Sequence, residues 1–299
     1  MGWFSRKKSG SGSILVKDRP KPGALRAIFG RTYLDDSPYM LPKDMSEANR
    51  LDFQHYMLRY ALKGNYATPL MSPRTILDVG TGTGRWATEM AALFPQANVF
   101  GVDLVPPPVD ANAAPDSRPD NYVFVPGNVL DRLPFDDQSF DFVHQRLLIY
   151  AIPAHRWPDA LSELYRVTAP GGWIELLEGG YLRNMGPLTT RSMEWMAEIG
   201  RRRGIDQSSS SKLDQLLSDI GMRQVKSHRI DVPMGQWGGR IGQLMATDAN
   251  AGNRSMRSIA LDQLQISPEE YDRVAKALPE EWEQYHTVVP FYIAYGQKP

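Results

Sequence analysis

"TILDVGTGTGRWATEM", Thr75 to Met90, decides the reading of this chain. Apolar and β-branched positions run into Asp78, three glycines then alternate with threonines, and a helix-forming pattern follows. Strand, tight glycine turn and helix in that order form a cradle for a nucleotide. The dinucleotide fingerprint sets its third glycine three positions after the second. Here Gly80, Gly82 and Gly84 stand two apart, with Arg85 next. Asp78, two positions before the first glycine, is badly placed for a pyrophosphate and well placed for a ligand carrying positive charge.

Outward from this stretch the text alternates between short strands and helices. Strands are predicted over 75–79, 99–103, 122–125, 140–145 and 173–178, with helices over 85–94 and 157–167. Such alternation argues for a parallel sheet covered on both faces. The 104–120 segment, with "VPPP" and two further prolines, cannot be a regular crossover helix throughout. Later helices are expected over 191–203 and 212–220, then a strand in "MRQVKSHRIDVPM". About fifty mostly helical residues follow, with a marked start at Ser267-Pro268-Glu269-Glu270. "TVVPFYIAYGQ" closes the chain as an apolar strand.

Residues 1–43, rich in Gly, Pro, Ser and basic side chains, read as a partly disordered N-terminal arm. The core is assigned to 44–235, a helical cap or substrate insertion to 236–286 and the last core strand to 287–299. A helix from Asp44 is signalled by the Asp44/Glu47 pair, with Gly64 as its stop. Its apolar face carries Leu51, His55, Leu58 and Leu62, so His55 is either a core histidine or a neighbour of a ligand. The serine run at 208–211 and the arginine triplet at 201–203 read as a solvated loop and helix end.

Lys+Arg and Asp+Glu both number 34 in 299 residues, so the charge balance favours neither nucleic acid nor an anionic membrane. No apolar run reaches the roughly 18 residues that a membrane span needs. The basic start, "MGWFSRKKSGSGS", lacks the apolar region of a secretory signal, and Arg6 stands where myristoylation wants Ser or Thr. Zero cysteines exclude disulfides, thiolate metal sites and a cysteine nucleophile, which suits the cytoplasm. No metal site is expected. Oligomeric state is not encoded legibly, and a homo-oligomer is left open.

S-adenosylmethionine (SAM) is a ligand of the required kind: adenosine without phosphate, a sulfonium and an α-ammonium. Asp103, ending the second strand, is placed to accept hydrogen bonds from both ribose hydroxyls. "FVPGNVLDRLPFDDQSFDFVHQ" and "VTAPGGWIELLE" then resemble the later motifs of the class I SAM-dependent methyltransferases. Asn128 stands where many relatives carry Asp or Glu for the adenine amino group, and Val129 would contact the ring. "YMLPKDMSEANRLDFQHYMLRYALKGN", "DVPMGQW" and "HTVVPFYIAYGQKP" resemble the LaeA-like methyltransferases of secondary metabolism. That resemblance implies a Rossmann-like α/β fold, a seven-stranded sheet ordered 3-2-1-4-5-7-6 with its last strand antiparallel. It also implies a helical N-terminal segment over the cofactor and a helical insertion before the last strand. The expected cofactor residues are Asp78, Gly80, Thr81, Gly82, Gly84, Asp103, Leu104, Asn128, Val129 and Gln145, with Tyr39 closing from the arm.

Methyl transfer from a sulfonium is an in-line displacement, in which the protein aligns, desolvates and sometimes supplies a base. Acceptors should lie above the carboxyl ends of the fourth and fifth strands. His144 is the first candidate base, its alternative a structural hydrogen bond that holds the cofactor loop; Glu178 is the second and His286, just before the last strand, the third. Met234, Trp237, Met245 and Met256 suit helix packing or an apolar acceptor pocket. An amino-directed DNA methyltransferase would show an Asp- or Asn-Pro-Pro-aromatic motif where His144-Gln145-Arg146 stands, and a C5-directed one needs a cysteine. The expected activity is methylation of a small, natural-product-like molecule. A protein methyltransferase or a SAM-binding regulatory subunit is the competing reading, and an NAD-dependent oxidoreductase is disfavoured by Asp78 and the glycine spacing.

Overall fold

The computed structural model describes residues 25–35, 37–107 and 118–299. Its chain runs β1 (Leu25–Ile28), β2 (Arg31–Leu34), α1 (Met45–Leu62), β3 (Thr75–Val79), α2 (Arg85–Leu93), β4 (Asn98–Asp103), β5 (Tyr122–Pro126) and β6 (Phe140–Arg146). It continues through α3 (Trp157–Val167), β7 (Thr168–Gly179), α4 (Pro187–Arg202), α5 (Leu213–Asp219), β8 (Arg223–Pro233), α6 (Gly239–Leu264), α7 (Pro268–Tyr285) and β9 (Val288–Gln297). Seven strands form one sheet in the order β5-β4-β3-β6-β7-β9-β8. β9 is antiparallel to both neighbours and the other pairs are parallel. This is the 3-2-1-4-5-7-6 order of the expected Rossmann-like fold.

β3 shows why the sheet is covered twice. Ile76 packs with Trp86, Ala87 and Met90 of α2, whereas Leu77 and Val79 join Leu161, Leu164 and Leu217 on the opposite face. With a period of two, a strand buried on both faces needs an almost continuous apolar run, and "ILDV" breaks it only at Asp78.

α1, α4, α6 and α7 gather at one side of the sheet. Met57 and Leu58 of α1 meet Met245 of α6, Leu278 and Trp282 of α7 and Phe291 of β9. Asp44 caps α1 by accepting from Glu47 N at 3.0 Å. Its far end differs from expectation: Lys63, not Gly64, takes the left-handed conformation (φ 58°), while Gly64 N donates to Arg59 O.

The segment before α1 is no extended arm over its described part. β1 and β2 form an antiparallel hairpin, and Ile28, Tyr33 and Met40 are buried against Ile199 of α4 and Met256 and Ile259 of α6. The basic start and most of the proline-rich 104–120 segment lie outside the described residues. The serine run forms a 3-10 turn, Gln207–Lys212, capped by Asp206.

Candidate functional site

The turn after β3 is made of backbone. Gly80, Gly82 and Gly84 all take left-handed φ values of 71°, 56° and 78°. A side chain on Gly80 would strike Leu148, and one on Gly84 the Tyr122 hydroxyl, each at 2.6 Å. Gly80 N and Thr81 N donate to Val102 O, so the turn is tied to β4. Thr81 Oγ1 donates to Asp78 Oδ2 at 2.7 Å, and His144 Nδ1 stands 2.8 Å from Asp78 Oδ1.

Against this turn lies a cavity of about 330 Å³. Its wall brings together nine of the expected cofactor residues: Tyr39, Asp78, Gly80, Thr81, Gly82, Asp103, Leu104, Asn128 and Val129. Asp103 Oδ2 accepts from Gly82 N at 2.9 Å, and Oδ1 accepts from Leu104 N at 2.8 Å and from Lys43 Nζ at 3.1 Å. Asn128 Oδ1 accepts from Leu130 N, so its carbonyl shapes its own turn and keeps one lone pair for a ligand. Gly84 and Gln145 are not part of this wall. Gly84 is the N-cap of α2, and Gln145 is buried on β6 with both amide atoms unpaired.

None of the three candidate bases reaches the cavity. His144 is buried under α2, its ring stacked on Trp86 at 3.8 Å, and it braces Asp78. Glu178 accepts from Leu148 N and Ile149 N at 2.9 and 3.0 Å, thereby holding the loop after β6. Burial pushes its carboxyl up to about 8, although those two amides favour the charged form. His286 caps α7 in the left-handed conformation, with its ring on Trp237 at 4.7 Å on the outside of the cap.

Sequence reasoning missed Ser37, Lys43, Gln54, Thr83, Asp131 and Arg146 among the polar residues of the wall. Arg146 follows His144-Gln145 at the end of β6, the one signal that could have found it. Burial lowers its guanidinium pKa, and among the described residues no carboxylate pairs with it. Its Nη2 donates to His55 Nδ1 at 3.0 Å, since a guanidinium offers only donors. His55 Nε2 in turn lies 3.2 Å from Glu89 Oε1. Burial, then the Arg146 charge, hold His55 down to about 4, so the ring is neutral. Both earlier readings of His55 meet here, because a buried histidine seats a side chain that lines the cavity.

A second cavity of about 230 Å³ opens beneath α4, α6 and α7. It shares Tyr39, Leu51, Gln54 and Leu147 with the first. Met40, Met193, Met196, Met234, Met245 and Met256 make most of its adaptable surface. Trp237 is 38% exposed and lies outside it. Thr189 of this wall donates to the buried Glu281, and a charged cluster stands beside α1. Arg50 donates to Glu47 Oε1 through Nε and Nη2 and to Asp248 Oδ1 through Nη1, and Gln54 Nε2 donates to Asp248 Oδ2.

The first cavity fits SAM in the chemistry of its side chains. Two carboxylates, Asp78 and Asp103, and the Arg146 guanidinium, which Asp78 and Glu89 offset only from a distance, match a ligand with an ammonium, a diol and a carboxylate. A Cβ at Gly82 would meet only Leu51 Cδ1, at 3.7 Å, so the glycine turn leaves open space beside the cavity there.

Residues 76–172 match the family model described as a methyltransferase domain. The chain is similar to methyltransferase str2 of Strobilurus tenacellus, 38% identical over 64% of this chain and 70% of that protein. It is 30% identical to the secondary metabolism regulator LAE1 of Cochliobolus heterostrophus, over 67% of each chain. It is 24% identical to N-methyltransferase gliN of Aspergillus fumigatus, over 90% of this chain and all of that one. In fold it resembles a putative methyltransferase from an antibiotic biosynthesis pathway of Anabaena variabilis. That match has a TM-score of 0.54 and 16% identity over 80% of this chain and 97% of that one.

Proposed function

The chain belongs to the SAM-dependent methyltransferases of the secondary-metabolism type, and from that premise we propose that it methylates a small, natural-product-like acceptor by in-line displacement. The observation that carries this reading is the second cavity, largely apolar and set beside the first with Tyr39, Leu51, Gln54 and Leu147 lining both. A protein-directed enzyme would instead present an open groove. SAM supplies the methyl group and its sulfur leaving group. Asp103 receives the ribose hydroxyls, Asp78 the α-ammonium, and Arg146, seated by His55, the α-carboxylate. Tyr39 and the methionines exclude water from the acceptor, which favours a displacement that disperses charge. Burial keeps the Tyr39 hydroxyl protonated. The absence of cysteine fits work in a reducing compartment such as the cytoplasm.

One relative is named a regulator of secondary metabolism, which favours a second reading, action within a protein complex. Methyl-labelled SAM incubated with the chain and an extract of its source organism separates the two. Label in the small-molecule fraction supports the metabolite enzyme. Label in protein moves the activity to a protein substrate, and binding without transfer favours the regulatory role.

A further inference from the structure

We propose that the acceptor is an apolar molecule carrying a basic amine, and that the second cavity seats its nitrogen against Asp248 and Gln54. This rests on the functional reading above and names its substrate class.

The charge count of the buried cluster, of which Arg50 and Asp248 line the cavity and Glu47 stands behind them, points to a cation. Glu47, Arg50 and Asp248 are 1%, 7% and 3% exposed, two carboxylates against one guanidinium. Three of the five guanidinium N–H groups are already directed at those carboxylates. Burial opposes the Arg50 charge, but Asp248 and Glu47 outweigh it and hold the guanidinium ionised. A carboxylic acid acceptor would therefore face one surplus negative charge in a desolvated wall, whereas an ammonium compensates it. Ser255 Oγ donates to the remaining Glu47 oxygen, which leaves Asp248 as the carboxylate of the cluster that lines the cavity. Each Asp248 oxygen accepts one hydrogen bond from the chain and keeps capacity for another.

Position agrees with charge. Gln54 holds Asp248 and also lines the cofactor cavity, so the surplus charge sits toward the wall that the two cavities share. Beyond that cluster the wall carries Thr189, Ser192, Gln207 and Asn253, and the rest is mainly methionine and other apolar side chains, which selects a mostly apolar body behind the nitrogen.

Chemistry follows from the same group. Seated as an ammonium, the amine gives one proton to the Asp248 carboxylate. Burial has already raised that carboxyl's pKa, against the opposing effect of Arg50 and Gln54. The freed lone pair forms the N–C bond as the electrons of the C–S bond return to sulfur. A methylated ammonium and a neutral thioether result, and Asp248 sheds its proton to solvent as the product leaves.

The test is calorimetric binding to the full chain saturated with S-adenosylhomocysteine, using three probes of nearly equal size: 3-phenylpropylamine, 3-phenylpropanol and 3-phenylpropionate. The amine is expected to bind at least about tenfold more tightly than the other two, the scale of one charge-assisted hydrogen bond. Asp248→Asn should remove that preference while leaving the alcohol and S-adenosylhomocysteine bound as before. Equal or tighter binding of the alcohol or the acid overturns the inference, as does no amine binding or a preference that survives Asp248→Asn. If the variant does not fold, the ranking on the natural chain decides alone. Failure to bind S-adenosylhomocysteine at all would instead strike the functional reading beneath it.

Discussion

Asp103 joins three separate parts of the chain, because Gly82 N, Leu104 N and Lys43 Nζ all donate to it. Asp103→Ala should weaken S-adenosylhomocysteine binding at least about tenfold, from lost charged hydrogen bonds worth roughly 1.5–3 kcal/mol. Calorimetry on a variant with unchanged circular dichroism checks this, and unchanged affinity would remove Asp103 from the site. Glu178 gives a pH signature. Its folded carboxyl titrates near 8 against an ordinary 4.5, so the folded chain holds the proton more tightly than the unfolded one. That contribution is complete below about 4.5 and is lost as pH rises through about 8. Urea midpoints should therefore fall between pH 5 and 8.5, and Glu178→Gln should flatten the decline; parallel curves would show that another group is responsible. Asp78, Gly80 and Gly82 were legible because one strand and its turn carry their spacing, and Asp103 because it ends the next strand. Arg146, Lys43 and Asp248 were not, since each acts through a neighbour distant in sequence. His144 misled because strand ends alone do not say which face a side chain takes; Trp86 beneath it decides that.

Among the elements, the strand–turn–helix unit around Gly84 tolerates least. Gly84 combines a φ of 78° with a Tyr122 hydroxyl 2.6 Å from where a Cβ would stand. Gly84→Ala should cost about 1–3 kcal/mol and lower Tm, and Tyr122→Phe in that background should recover part of the loss. A variant as stable as the natural chain would show that the helix start relaxes freely. The strands of the core were readable from apolar runs bounded by turn residues, and the starts of α1 and α7 from their caps. The β1–β2 hairpin was not. Its strands are four residues each, and what stabilises them is packing on α4 and α6 from later in the chain. α4 begins at Pro187, four residues before the expected start, because proline fits the first turn of a helix.

At the scale of the whole molecule, the cap meets the sheet side through α1, and Arg50 makes the ion pair between α1 and α6 beside the Gln54–Asp248 and Ser255–Glu47 hydrogen bonds. Arg50→Met would strand two buried carboxylates, an effect of about 3–5 kcal/mol. Hydrogen exchange should then accelerate in α6 before it does in β3 or β6; uniform acceleration would mean that cap and sheet open as one unit. The sheet order was readable only through resemblance, because strand spacing does not tell that β9 lies between β7 and β8. The partition formed by Tyr39, Leu51, Gln54 and Leu147 has a kinetic consequence. Two chambers with one common wall cannot be filled independently: the first occupant sets the shape that the second one meets. Turnover should accordingly obey a compulsory sequence, with SAM entering first and S-adenosylhomocysteine leaving last. Product inhibition reports it: the methylated product should be noncompetitive against the acceptor, where a random order would make it competitive.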